Sequence, residues 1–144
     1  MGFKRYATAH WEGDLKTGQG RMSTPQSGLF EGTRYSFNTR FGEEKGTNPE
    51  ELLAAAHAGC YSMALANSLA GAGFVARSVH TTADVNLGKD DKGFLITRID
   101  LTVVADVPGV DNATFQEWAE KTRTGCIIAR ALAATETTLK ATLK

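Results

Sequence analysis

The feature that most constrains the fold of this sequence is a long apolar segment that follows a helix-capping signal. Asn48 is a favoured N-cap residue, Pro49 suits the first helical position, and Glu51 stands three residues after the cap, as in a capping box. From there to Leu69 the chain is mostly Ala, Leu, Met and Gly, on nearly every side of a helix. The pattern predicts a helix over about 49–69 that is buried around most of its circumference.

A helix of this kind needs apolar cover on two opposite sides. A single sheet built from a chain of 144 residues covers only one side. The simplest source of the second cover is another copy of the same chain. We therefore expect an obligate homodimer with these helices in its interior.

The remainder of the chain predicts strands before and after this helix, joined by short helices. Asp111 or Asn112 caps a short amphipathic helix, and a further apolar helical turn or two runs from Cys126 to about Ala134. The expected strands are 3–11, 33–41, 78–87, 94–107 and 137–143. This order, without alternating βαβ units, predicts an α+β fold in a single domain over 1–144.

Charge and composition exclude several classes of partner. Sixteen Lys and Arg residues balance sixteen Asp and Glu residues, so no net field recruits nucleic acid or an anionic membrane. The sequence also shows no signal peptide and no apolar run long enough to span a bilayer, so we expect a cytoplasmic location. Two cysteines in a reducing compartment do not normally form a structural disulfide. They are therefore either inert apolar residues or chemically active ones.

The residues taken singly leave that choice open. Cys60 lies in the middle of the apolar helix, where a free cysteine often acts as a small hydrophobe. Cys126 follows Thr124 and Gly125 at a predicted helix start, where free backbone N–H groups favour a thiolate. There is no CxxC motif, and the three histidines share no ligand spacing with the cysteines. We expect no metal and no other cofactor.

The sequence GTNPEELLAAAHAGCYSMAL, residues 46–65, resembles the signature of the OsmC/Ohr family, the osmotically inducible protein C and organic hydroperoxide resistance proteins. The likeness is greatest to the OsmC branch and extends over essentially the whole chain. It includes an aromatic strand ending in Arg40 and a second cysteine far downstream. The resemblance implies two antiparallel-type sheets wrapped around central buried helices in an intertwined homodimer, with two active sites at the subunit interface.

The resemblance also implies roles for individual residues. Cys60 matches the peroxidatic cysteine, Cys126 the resolving cysteine, and Glu50 the glutamate of the family's NPE motif. Arg40 is the best match to the arginine that activates the thiol, with Arg34 as the alternative. One departure from the family pattern is that Ile127, rather than proline, follows Cys126.

The activity implied is that of a thiol-dependent peroxidase acting in oxidative or osmotic stress defence. It would reduce organic hydroperoxides, and inorganic peroxide less efficiently, through a Cys60 sulfenic acid and a Cys60–Cys126 disulfide. An external dithiol of the thioredoxin or lipoyl type would restore the thiols. An apolar lining from Leu53, Ala56, Met63 and nearby aromatic residues would favour alkyl hydroperoxides.

These residue types suit one another chemically. Burial disfavours a thiolate, so a nearby cation must compensate, and Arg40 keeps its charge when desolvated. Glu50 would orient the guanidinium through a charge-assisted pair. On one straight helix Glu50 and Cys60 lie about 15 Å apart along the axis, so either the chain bends early or the glutamate comes from the partner subunit.

An alternative hypothesis for the function is that the protein is a non-catalytic stress protein. In that reading the two cysteines are core residues, and the cavity at the dimer interface holds a small apolar ligand. Loss of two thiols after treatment with an organic hydroperoxide separates the enzyme from the binding protein.

Overall fold

The computed structural model describes residues 2–144, and the chain divides into two compact units, one ending at Leu52 and the other beginning at Leu53. Strands and helices are segregated rather than alternating, which confirms the α+β class. The two sheets have three strands each. The assignment of residues 1–144 to a single domain stays a prediction.

The first unit contains an antiparallel sheet in the order β1–β2–β3. Its strands are β1 (Thr8–Glu12), β2 (Gln19–Ser23) and β3 (Thr33–Tyr35). The first strand therefore starts later than predicted, and β2 lies in a polar, glycine-rich stretch whose composition does not predict a strand. The glycine at position 20 of β2 is required by packing, because any side chain there would overlap the rings of Trp11 and Tyr35.

The strand predicted over 33–41 is wrong beyond Tyr35. The chain turns at Ser36 into a short helix, α1 (Phe37–Phe41), so Arg40 lies on a helix and not at a strand end. Ser36 accepts the Thr39 N–H through its hydroxyl, and the Thr39 hydroxyl accepts the Ser36 N–H, which forms a complete capping box. This reciprocal cap outweighs the weak alternation of aromatic residues that predicted a strand.

The long helix is confirmed as α2 (Pro49–Gly71). Asn48 caps it, because its Oδ1 accepts the Glu51 N–H at 2.8 Å. Within one chain only one face of α2 is buried, and Met63 on the other side is 77% exposed. The buried positions recur every four residues, as one helical face requires: His57, Tyr61, Leu65 and Leu69.

The second unit holds a sheet in the order β4–β5–β6, built on the predicted hairpin. Its strands are β4 (Ser78–Asp90), β5 (Gly93–Asp106) and β6 (Glu136–Leu143). β4 and β5 are antiparallel, but β6 pairs with β5 in parallel, so the expectation of two antiparallel-type sheets is wrong for this one. Two helices connect β5 to β6 as a crossover, which permits the parallel pairing.

These connecting helices are α3 (Asn112–Gly125) and α4 (Ile127–Ala131), both close to the predicted segments. Asp111 caps α3 by accepting the Thr114 N–H at 2.9 Å. The core packs the inner face of β5 against α2 and α3, and the Tyr61 hydroxyl of α2 donates to the carbonyl of Ala119 in α3 at 2.8 Å. That bond fixes α2 to α3 one residue beyond Cys60. Within residues 2–144 no helix combines the length and apolarity needed to cross a bilayer.

Candidate active site

Two cysteine thiols meet where α2 passes the start of α4. Cys60 lies on α2, and Cys126 is the N-cap residue of α4. Backbone N–H groups of the first turn of α4 donate to both sulfurs: Ile128 to Cys60 Sγ at 3.5 Å, and Ala129 to Cys126 Sγ at 3.4 Å. The thiols also hydrogen-bond to each other, and both are free. The structure thus brings together the two predicted cysteines.

The environment makes the two thiols unequal. Cys126 is 3% exposed, and this burial raises the pKa of its thiol; the hydrogen bond with Cys60 raises that pKa further. The Ala129 N–H acts in the opposite direction, because it stabilises a thiolate. Cys126 therefore stays protonated at neutral pH and can donate its S–H to the sulfur of Cys60. Cys60 is only partly buried and accepts two hydrogen bonds, which suits the nucleophile of the pair.

The predicted cation, Arg40, and the predicted carboxylate, Glu50, form an ion pair within the first unit. Arg40 donates from Nε to both carboxylate oxygens of Glu50, at 3.2 and 3.0 Å, and from Nη2 to Oε1 at 2.5 Å. Its guanidinium also lies over the ring of Phe41, 4.9 Å from the centroid. Arg34 instead pairs with Glu44 at 2.7 Å. Of the two arginines considered from the sequence, Arg40 is the one joined to Glu50.

An apolar cavity of about 310 Å³ opens beside Arg40. Aromatic rings form most of its wall, and the Arg40 guanidinium adds one charged group to it. The lining residues are Trp11, Leu15, Tyr35, Ser36, Phe37, Arg40 and Phe41. The aliphatic lining predicted from Leu53, Ala56 and Met63 is not part of this cavity.

Sequence reasoning missed two features of the site. The first is that a backbone N–H at the start of α4, where donors were expected to act on Cys126, also donates to Cys60; Ile127 opens this helix without the family's proline. The second is His57, one turn before Cys60, which is fully buried with no hydrogen-bond partner on either ring nitrogen. Burial lowers the pKa of His57. In the part of the chain that the structure describes, no group of three or more His, Cys, Asp or Glu side chains could hold a metal ion.

Fold and paired thiols together define a class of protein. Residues 42–141 match the family model described as OsmC, OsmC-like protein, and the chain belongs to this family. It is 51% identical over 144 residues to the peroxiredoxin OsmC of Escherichia coli strain K12, covering 100% of this chain and 99% of that protein. The peroxiredoxin OsmC of Shigella flexneri shows the same identity and coverage. These matches confirm the resemblance to the OsmC branch.

Solved structures share the fold at low sequence identity. An OsmC-like protein of unknown function from Vibrio cholerae superposes with a TM-score of 0.74 at 17% identity, over 96% of this chain and 99% of that one. The organic hydroperoxide resistance protein OhrB of Bacillus subtilis gives a TM-score of 0.67 at 23% identity, over 96% and 98% of the two chains. At these identities the likeness carries the fold alone.

Proposed function

We propose that this chain is a peroxiredoxin of the OsmC type that reduces organic hydroperoxides with Cys60 and resolves the product with Cys126. The observation that carries the proposal is the hydrogen-bonded pair of free, unequal thiols at the start of α4. The name peroxiredoxin, borne by relatives with 51% identity over the full chain, agrees with it.

The reaction begins with attack of the Cys60 thiolate on one oxygen of the hydroperoxide. The O–O bond breaks, the terminal OH of the hydroperoxide stays on the sulfur, and Cys60 becomes a sulfenic acid. The oxygen bonded to the organic group leaves as an alkoxide, which takes up a proton. The Cys126 thiol then attacks this sulfur, water leaves, and a Cys60–Cys126 disulfide forms. An external dithiol of the thioredoxin or lipoyl type restores both thiols, which requires a reducing compartment such as the cytoplasm.

Arg40 would supply positive charge to the Cys60 thiolate and to the departing alkoxide. Its two-pronged pair with Glu50 holds the guanidinium plane in one orientation; the Glu50 side chain is 12% exposed and the Arg40 side chain 36%. The helix α2 is continuous from Pro49 to Gly71, so ten residues of rise, about 15 Å, separate Glu50 from Cys60 along it. We therefore assign this pair to the thiol of the partner subunit.

A homodimer is part of this proposal, and the exposed face of α2 supports it. Small or flexible apolar residues recur there with alternating spacings of three and four, which is the pattern of a helix–helix seam. They are the exposed Ala56, Gly59, Met63 and Ala70, together with the half-buried Ala66. Replacing Met63 with Glu should convert the dimer to monomer in light scattering. The matched change Val75→Glu, at a residue of similar exposure beyond the helix, should leave the dimer intact.

The cavity beside Arg40 supports an organic rather than an inorganic substrate. Its aromatic walls can bury an alkyl or aryl group, and each buried CH₂ contributes about 0.8 kcal/mol. Hydrogen peroxide offers no such group. We expect cumene hydroperoxide to be reduced with a higher kcat/KM than hydrogen peroxide; equal values would contradict this part of the proposal.

Thiol titration tests the central claim. One equivalent of cumene hydroperoxide should remove both thiols of the chain, and dithiothreitol should restore them. Cys60→Ser should lose no thiol, whereas Cys126→Ser should lose one and proceed to sulfinic acid with excess peroxide. An unchanged thiol count in the wild-type protein would refute the peroxidase and favour the non-catalytic binding protein.

The two arginines provide a matched pair for the role of the cation. Arg40→Gln should slow oxidation of Cys60 by about a hundredfold, as expected for loss of a preorganised charge at a transition state. Arg34→Gln removes a similar ion pair from the same unit and should change the rate little. Equal effects of the two substitutions would remove Arg40 from the mechanism.

A further inference from the structure

A second cavity, distinct from the one beside Arg40, lies against Cys126. It has a volume of about 260 Å³ and is formed between α2 and the end of α3. Cys126 lines it and Cys60 does not. Its walls are Ala64, Asn67, Ser68, Lys121, Thr122, Gly125 and Cys126. The proposed peroxide reaction uses no part of this cavity except the sulfur of Cys126.

The size and polarity of the cavity restrict what could enter it. Pockets for drug-sized ligands measure about 300–1,000 Å³, so this cavity suits a ligand smaller than a typical drug molecule. Thr122 donates its hydroxyl to the Trp118 carbonyl at 2.8 Å, and the Lys121 ammonium pairs with Glu117 at 2.6 Å. The side chains of Asn67 and Ser68 make no hydrogen bond within residues 2–144, so they can bind a polar ligand.

We propose that this cavity admits the thiol that reduces the enzyme, and that the thiol attacks Cys126 rather than Cys60. The inference rests on the proposed function, because it concerns the disulfide which that function forms. A small aliphatic thiol or dithiol, with a polar group to meet Asn67 or Ser68, is the chemical class that fits.

The step balances as a thiol–disulfide exchange. The reductant thiolate bonds to Cys126 Sγ, the Cys60–Cys126 bond breaks, and Cys60 leaves as a thiolate. The second thiol of the reductant then attacks its own sulfur in the mixed disulfide and releases Cys126, which takes up a proton. The result is a reduced enzyme and an oxidised dithiol.

The choice between the two sulfurs follows from the leaving group. The better leaving thiolate in such an exchange is the more stabilised one. Each sulfur receives one backbone N–H, Cys60 Sγ from Ile128 and Cys126 Sγ from Ala129, so the difference between the two thiolates lies in their burial. Cys126 is buried at 3% exposure, which disfavours its departure as a thiolate. Attack on Cys126 therefore expels the favoured thiolate, and the cavity supplies the access.

The attack site can be read by trapping. The disulfide is prepared with diamide, which needs no peroxidase activity, then treated with limiting 2-mercaptoethanol, quenched in acid and alkylated with N-ethylmaleimide. Peptide mass spectrometry should find mercaptoethanol on Cys126 and the maleimide on Cys60. The reverse distribution, or failure of diamide to join the two cysteines, overturns the proposal. Failure of cumene hydroperoxide alone to form the disulfide overturns only the proposed function.

A cavity-filling variant gives a second readout if no mixed disulfide is trapped. Ser68→Leu should slow reduction of the diamide-made disulfide by dithiothreitol by about tenfold more than it slows single-turnover oxidation by cumene hydroperoxide. Ala113→Leu adds similar bulk to the exposed start of α3, away from the cavity, and should leave the ratio of the two rates unchanged. An unchanged ratio in Ser68→Leu overturns the role of the cavity.

Discussion

Replacing His57 with Leu should stabilise the protein at neutral pH and flatten its loss of stability in mild acid. His57 is 0% exposed, and neither ring nitrogen has a hydrogen-bond partner, so the side chain is held as an uncharged, unsatisfied imidazole. Leucine is similar in volume and carries no polar atom. At position 57 a leucine lies on the same buried face of α2 as Leu65 and Leu69, and it has no polar atom that loses hydration on folding.

The magnitude has two parts. Removing the unsatisfied nitrogens should add about 1 kcal/mol at neutral pH, at the low end of the penalty for a buried unpaired polar group. The second part depends on pH. Burial lowers the pKa of His57 below its ordinary value of 6.5, so the unfolded chain takes up a proton that the folded chain refuses. The part of the free energy of unfolding that depends on neutral His57 is therefore present above about pH 6.5, and it is lost as the pH falls toward the pKa of His57 in the folded chain.

One proton changes stability by at most about 1.4 kcal/mol per pH unit. Between about pH 7 and pH 5.5, with an unfolded pKa of about 6.5, the loss due to His57 amounts to at most about 1.3 kcal/mol. His57→Leu should remove this portion of the pH dependence and leave the remainder, which arises from carboxylates.

Urea denaturation at both pH values measures the effect. All variants must be compared at one protein concentration, because the stability of a dimer depends on it. His80→Gln, at an exposed position on β4, is the matched control and should keep the wild-type pH dependence. If His57→Leu also keeps the full wild-type loss between the two pH values, then His57 is not a neutral buried group and the reasoning is wrong.

Two further predictions follow from contacts near the thiols. Tyr61→Phe removes the hydroxyl that donates to a buried carbonyl of α3, so it should lower the free energy of unfolding by about 1–2 kcal/mol in urea denaturation. The same change at the exposed Tyr6 should have almost no effect on the free energy of unfolding. Equal effects of the two substitutions would contradict this account. In the Cys60→Ser variant, Cys126 should react with iodoacetamide at about pH 8.5 at least about tenfold more slowly than free cysteine does, because burial raises its pKa; a rate equal to that of free cysteine would contradict the burial argument.

The local features of the chain could be predicted from the sequence because each is written in neighbouring residues. The cap at Asn48, the apolar run that follows it and the hairpin of β4 and β5 are short-range signals, and the structure confirms all three. The family signature around Cys60 belongs to the same category. The strand predicted over 33–41 was wrong beyond Tyr35 for a related reason: a competing local signal, the capping box at Ser36, was stronger than the alternation.

Tertiary structure alone decided the contacts between residues far apart in the chain. Nothing in the spacing of Cys60 and Cys126 predicts that both sulfurs accept N–H groups from one turn of α4, because that depends on how α2 packs against the sheet and α3. The same holds for the pairing of Arg34 with Glu44 and for the parallel addition of β6, whereas the pair of Arg40 with Glu50 was already expected from the family resemblance. The sequence determined which residues were able to react. Only packing determined which of them meet, since burial and hydrogen bonding depend on distances in space and not on separation along the chain.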